Sequence, residues 1–360
     1  MNNHSDYTFF AKNVNKCYHF FMDIINLEKV LANEPKYRVK QAKEAIYKNF
    51  ISNWNEATFF SKELRDKLNK ECPLEIKAQA LISKKEDSIK AKITLKDGLE
   101  IETVLMRHKD GRNTVCVSSQ VGCPLGCLFC ATGKMGLKRS LISDEIIEQV
   151  LFFNRYFKNS TVDQSTVLKQ KVTNVTFMGM GEPFLNYENV WNAVKILNDA
   201  KYFNIGVRSI SISTAGILEG IKRLSDEPLH VNLAISLHAP NNELRKSLMP
   251  ISNKYSLENV LRAVDEYIKK TKRKVMFEYV LIKGVNDSDE NARELIKIMN
   301  KKLYFVNLIL YNDTGIFKAS SSKRVEEFKA ILEKAKIRYT QRYRFGDDIQ
   351  AACGQFATSK

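Results

Sequence analysis

Three cysteines, Cys123, Cys127 and Cys130, fall within eight positions in the stretch CPLGCLFCATGKMG, with no histidine beside them. Cysteines this close do not suit ordinary disulfide pairing, and the odd total of seven points to thiols kept reduced for metal or redox chemistry. Thiolates are soft-metal ligands. A Cys-x3-Cys-x2-Cys loop can wrap three corners of an iron–sulfur cube and leave the fourth iron open to substrate. The alternative is structural zinc, which needs four ligands. A matching second pair is not obvious, since His108 lies upstream and His238 follows a different strand. Two further cysteines stand out: Cys353, beside Gly354 in AACGQ, and Cys116, on the strand that leads into the cysteine loop. Taken singly, each reads as a small buried hydrophobe.

The surrounding pattern says what must hold these residues. Residues 1–75 carry apolar positions at helical spacing, as in YHFFMDIINLEKVLA and VKQAKEAIYKNFI, and predict a small helical domain. Residues 76–108 hold three short β-prone runs with a tight turn at Asp97-Gly98, a β linker. From Thr114 onward, apolar strands alternate with amphipathic helices: TVCVSSQ then SDEIIEQVLFFNRYF, VTNVTFMG then YENVWNAVKILNDA, VRSISIST then GILEGIKRL. The alternation continues as VNLAISLH then SLENVLRAVDEYIKK, KVMFEYVLI then SDENARELIKIMN, and YFVNLILYN then SKRVEEFKAILEKA. Capping serines with acidic first turns, as at Ser143-Asp144-Glu145 and Ser288-Asp289-Glu290, mark the helix starts.

Six β/α units imply an α/β fold with a parallel sheet, too few for a closed eightfold barrel. The expectation is a partial (β/α)6 barrel over residues 109–346 whose functional loops follow the strand C-termini; a doubly wound sheet is the alternative. The polar, aperiodic stretch 158–171 predicts an exposed insertion, and 347–360 form a C-terminal segment carrying Cys353.

The 360 residues carry a formal net charge of +16, with Lys and Arg spread along the chain. A basic balance suits a polyanion such as nucleic acid, although biased base composition also enriches lysine. No signal-peptide pattern opens the sequence and no run of eighteen apolar residues interrupts it, so the expected location is the cytoplasm, without membrane contact.

With these parts in order, the sequence resembles the RlmN/Cfr family of radical S-adenosylmethionine (SAM) RNA adenine methyltransferases. The resemblance runs over roughly residues 95 to 357 and rests on VCVSSQVGC, FCATGKMGLKR, FMGMGEPFLN, ISLHAPN, LMPISNKY, YVLIKGVND and GDDIQAACGQ. It implies a 4Fe–4S cluster on Cys123, Cys127 and Cys130, with SAM at the fourth iron. The implied SAM contacts are Gly181 and Glu182 in GMGEP, Ser213 in SISTAG, Ser236, Leu237 and His238 in SLHAP, and Asn312 in LYND. The glycines would let backbone approach a ligand, and the carboxylate would hold the SAM amino group.

The resemblance also turns the two outlying cysteines into a pair. It implies that Cys353 is methylated by one SAM, that a second SAM supplies a 5′-deoxyadenosyl radical that takes hydrogen from that methyl group, and that the methylene radical adds to adenine. Carbon 2 of adenine is too poor a nucleophile for polar methyl transfer, which is why a radical route is needed. Glu102 in IETV would remove the ring proton, and Cys116 would release the product by forming a disulfide with Cys353. The implied substrates are an adenosine of 23S rRNA at the peptidyl-transferase centre and an adenosine beside the tRNA anticodon, reached as a flipped or single-stranded base. GMGEP and GDDIQAAC favour carbon 2, with carbon 8 as the alternative. An electron donor such as flavodoxin and a thiol reductant complete the expected partners, and the expected state is a monomer. A non-enzymatic iron–sulfur or zinc RNA-binding protein and a glycyl-radical activating enzyme are the rivals from other classes; neither needs Cys353.

Overall fold

In the computed structural model the described residues are 26–159 and 171–357. The first part of the expected N-terminal helix and all but the ends of the expected 158–171 insertion lie outside them. Within them, α1 (Leu27–Val30), α2 (Lys36–Tyr47) and α3 (Lys62–Glu71) precede β1 (Ala78–Ile82), β2 (Ser88–Thr94) and β3 (Glu100–Arg107). Then follow β4 (Asn113–Val117), β5 (Gln120–Gly122), α4 (Ala131–Lys134), β6 (Leu137–Ser140), α5 (Ser143–Asn159), β7 (Asn174–Phe177) and α6 (Tyr187–Asn198). The remainder is β8 (Ile210–Thr214), α7 (Leu218–Asp226), β9 (Asn232–Ser236), α8 (Asn242–Leu248), α9 (Leu257–Thr271), β10 (Val275–Leu281), α10 (Asp289–Ile298), β11 (Tyr304–Leu310), α11 (Ser322–Lys334) and β12 (Tyr339–Gln341).

Ten strands form one sheet in the order β1-β2-β3-β4-β7-β8-β9-β10-β11-β12, with β5 and β6 paired separately. The pairs from β1 to β4 are antiparallel and those from β4 to β12 are parallel. The three β-prone runs therefore extend the barrel sheet directly. Their middle turn closes where Gly98, at φ +81°, donates its N–H to Leu95 O. Among the parallel strands, spatial order follows chain order without a reversal. A doubly wound sheet reverses at its switch point, whereas crossovers of one hand that always advance place the helices on one face, as in an open barrel. The six units appear where the alternation places them. The short β12, the β5–β6 pair and α8 add to them.

Serine caps open the late helices: Ser256, Ser288 and Ser321 accept from the N–H three residues on, at 3.3, 3.1 and 3.2 Å. The N-terminal helices dock firmly. Tyr47 packs edge-on against Tyr202 and tilted on Phe203, Phe50 meets Phe203, and the buried Arg155 of α5 donates to Leu74 O at 2.6 Å and Ile51 O at 2.5 Å. Among the described residues no helix is long and apolar enough to cross a membrane.

Candidate active site

The cysteine loop leaves the sheet after β4. Cys123 follows β5, and Cys130 stands at the N-cap of α4, its N–H on Cys127 O at 3.1 Å. Gly133 allows α4 to lie on the loop: a Cβ there would sit 3.0 Å from the N and O of Cys127. Leu128 N–H reaches Leu248 O at 3.0 Å and fastens the loop to α8. Burial pushes the Cys123 thiol up to about 12 and raises Cys127 further, with Cys130 next to both adding to the shift. Such thiols stay protonated unless a cation takes the proton's place. A single ion requires its ligands to converge, and among the described residues no three His, Cys, Asp or Glu groups do so. A cubane takes each thiolate to a different iron, so three thiols spaced along a loop fit it better than they fit zinc.

The glycines of GMGEP meet protein. A Cβ on Gly179 would fall 2.7 Å from Val117 O, and one on Gly181, at φ +96°, would fall 2.5 Å from Gln120 Cβ. The turn lies against the end of β4, with Met180 O accepting from Ser119 and Gln120. This close packing delivers Glu182, which is buried and accepts from Phe184 N at 3.0 Å and Ala215 N at 2.7 Å. Burial raises its pKa to about 7 despite those bonds.

On the adjacent strand ends, Ser213 Oγ donates to Glu278 Oε2 at 2.7 Å and lies 3.4 Å from Ser236 Oγ. Leu237 is wholly buried, its N–H on Glu278 O. His238, at φ +57°, packs edge-on against Phe129 of the cysteine loop at 4.7 Å and accepts from Val280 N at Nδ1, which leaves its proton on Nε2. Burial, with Arg245 nearby, lowers its pKa to about 3, so the ring is neutral.

Cys116 and Cys353 line one cavity, together with Val104, Met178, Asn312 and Arg342. Burial pushes Cys116 up to about 12, and the proximity of Cys353 adds to this. Burial also raises Cys353, while the Arg342 guanidinium pulls it back. The tail carrying Cys353 is held by three hydrogen bonds, one from the loop after β11 and two from α4. Asn312 Nδ2 donates to Cys353 O at 3.0 Å, Ala131 of α4 donates to Gly354 O at 2.8 Å, and Thr132 Oγ1 donates to Phe356 O at 2.6 Å. Asn312 is thus held by the tail, and its Oδ1 accepts from Arg344. Glu102 shares the β3 face with Val104; its carboxylate takes Lys90 Nζ at 2.8 Å and the N–H of Ala357 at 3.0 Å. Burial raises its pKa, against the pull of Lys90.

Two charged groups escaped the sequence reading. Glu278 bridges Ser213 and Arg342, the latter at 3.4 Å, and Arg342 Nη1 also meets Met178 Sδ at 3.2 Å. A carboxylate inside the apolar run KVMFEYVLI was a usable signal for Glu278. Arg342 belongs to no motif.

The family model of the Radical SAM superfamily matches residues 117–296. The "Probable dual-specificity RNA methyltransferase RlmN" of Clostridium novyi is 43% identical over 327 residues, spanning 90% of this chain and 92% of the relative. The "Ribosomal RNA large subunit methyltransferase N" of Nitrosopumilus maritimus is 42% identical over 337 residues, 90% and 93% of the two chains. A crystal structure of a radical SAM methyltransferase from Sphaerobacter thermophilus superposes with a TM-score of 0.85 at 41% identity, covering 94% of this chain and 98% of that one. With such identity along nine-tenths of its length, the chain belongs to the RlmN family of radical SAM RNA methyltransferases.

Proposed function

We propose that this RNA methyltransferase places a methyl group on carbon 2 of one adenosine in 23S rRNA and of an adenosine beside the tRNA anticodon, through a methylated Cys353 and a transient Cys116–Cys353 disulfide. The observation that carries the reading is the shared cavity of Cys116 and Cys353, reached by a tail bonded to α4, the helix that Cys130 caps. The cluster on Cys123, Cys127 and Cys130 and two SAM molecules supply, when bound, the methyl group and the radical that removes one of its hydrogens.

The chain's own groups do the rest. Cys353 Sγ carries the one-carbon unit to the base, and the Cys353–carbon bond persists while the new bond to carbon 2 forms. Glu102, whose basicity burial strengthens, accepts the proton that leaves carbon 2, and the adduct would return its unpaired electron to the one-electron carrier that began the reaction, which leaves a closed-shell thioether between Cys353 and the base. Cys116 Sγ attacks Cys353 Sγ, the sulfur–carbon pair leaves with the carbon and takes up a proton, and a disulfide remains for an external thiol to reduce. Glu182 suits the SAM amino group, with Gly181, Ser213, Ser236, Leu237, His238 and Asn312 around the same rim. The helical region within residues 1–75 and the basic rim hold the RNA, the protein works as a monomer, and flavodoxin is a suitable electron donor.

Cys353→Ala is expected to abolish methylation while retaining iron, and Cys116→Ala to leave RNA covalently attached to Cys353. Free methylated RNA from Cys116→Ala at the parent rate would remove the resolving role. Mass spectrometry of digested RNA separates 2-methyladenosine from the carbon-8 product that would overturn the regiochemistry.

A further inference from the structure

Arg245 of α8 is fully buried, and every hydrogen bond it donates goes to a neutral acceptor. Nε reaches Leu237 O at 3.3 Å, Nη1 reaches Ser252 Oγ at 2.9 Å, and Nη2 reaches Ala215 O at 2.6 Å and Ser236 O at 3.1 Å. Among the described residues no carboxylate pairs with it. A buried guanidinium without a counter-ion is costly, and an apolar side chain of similar volume would be cheaper there. The arrangement makes sense where an anion sits close by.

The surroundings say which anion. Ala215, which accepts from Nη2, clusters with Leu125, Leu248 and Met249, and Cys123 and Cys127 pack on that cluster. Leu248, on the same short helix as Arg245, holds the cysteine loop through Leu128. Cys127 itself is within electrostatic reach of the guanidinium. Arg155 is an instructive contrast: it too is buried and bonded to carbonyls, but the carboxylates of Glu148 and Glu56 lie within electrostatic reach of it.

We propose that Arg245 is a positioning residue whose guanidinium is the fixed countercharge beneath the iron–sulfur cluster, favouring its reduced, more negative state. The proposal rests on the cluster occupying the loop of Cys123, Cys127 and Cys130. A cation near the cluster raises its reduction potential, so removing the charge makes the cluster harder to reduce.

The test is an electron-paramagnetic-resonance redox titration of the anaerobically reconstituted full chain, with iron content measured alongside. Three variants separate charge from shape: Arg245→Lys keeps the charge, Arg245→Gln removes it, and Ser252→Asp neutralises the guanidinium where it stands. Arg245→Gln and Ser252→Asp are expected to lower the reduced-to-oxidised ratio at fixed potential by about tenfold, a shift of about 59 mV for one electron. Arg245→Lys is expected to stay within about twofold of the parent. If Arg245→Gln fails to fold, Ser252→Asp alone decides. Cluster loss in the two charge-removing variants, with Arg245→Lys still loading, supports the proposal equally. An unchanged midpoint in a loaded Arg245→Gln or Ser252→Asp, or failure of Arg245→Lys alongside the others, overturns it in favour of a plain carbonyl clamp. A parent chain that binds no cluster would instead refute the cluster assignment on which the proposal stands.

Discussion

Asn312 holds the backbone of Cys353: its amide donates to the Cys353 carbonyl at 3.0 Å, while its own oxygen accepts from Arg344 at the same distance. The bond spans from the end of β11 to the tail and fixes where the Cys353 sulfur stands in the cavity. Asn312→Ala removes both bonds without touching the sulfur. Methylation of Cys353 is expected to slow by on the order of tenfold to a hundredfold, as small misplacements of reacting groups do. Intact-protein mass spectrometry over time reads the added methyl directly; an unchanged rate would mean that the contacts from α4 suffice.

Lys90 and Glu102 form a buried ion pair that also reaches the tail, since Lys90 Nζ donates to Gln350 O at 3.2 Å. Lys90→Met leaves a buried carboxylate uncompensated and is expected to cost about 3–5 kcal/mol. Adding Glu102→Gln should recover much of that loss. A urea-denaturation cycle over the four proteins measures the coupling, and strict additivity would show that the pair is not coupled.

Glu182 gives the cluster-free protein a predictable pH dependence. Its folded pKa is raised by burial to about 7 from an ordinary 4.5. Between those values the folded protein keeps a proton that the unfolded chain has released, so this contribution is full below about 4.5 and lost as pH rises through 7. Roughly 3 kcal/mol is at stake. Denaturation midpoints between pH 5 and 8 should fall for the parent and stay level for Glu182→Gln.

Gly181→Ala should damage the site through packing alone. The added Cβ meets Gln120 at 2.5 Å and the backbone is left-handed at φ +96°. Together these are expected to cost about 2–4 kcal/mol and to displace Glu182. Thermal unfolding, with SAM binding by calorimetry, tests both effects; parent-like values in each would show that the turn is pliable.

The β/α alternation was legible because each parallel strand is an apolar run and each helix has one apolar face. β12 was not: three residues, none of them buried, carry no pattern of their own and become a strand only by pairing with β11. The β5–β6 pair and α8 were hidden likewise, each being too short for a period to show. At the site, residues with distinctive chemistry announced themselves, as the cysteine triplet and Glu182 did. Their neighbours did not. Arg245 looks like an ordinary surface cation until the fold buries it, and Arg342 until the fold sets it against Glu278; the packing of the GMGEP glycines on Val117 and Gln120 carried no pattern either.

The seam made by Tyr47, Phe50 and Arg155 has a mechanical consequence. Aromatic rings and carbonyl bonds lock the helical unit to α5 and to the loop after α6, so it does not swing as an arm. The span from that unit to the cavity is therefore constant, like a set of callipers. If the helical unit holds RNA as proposed, a folded polymer would have to match that span before any base is read.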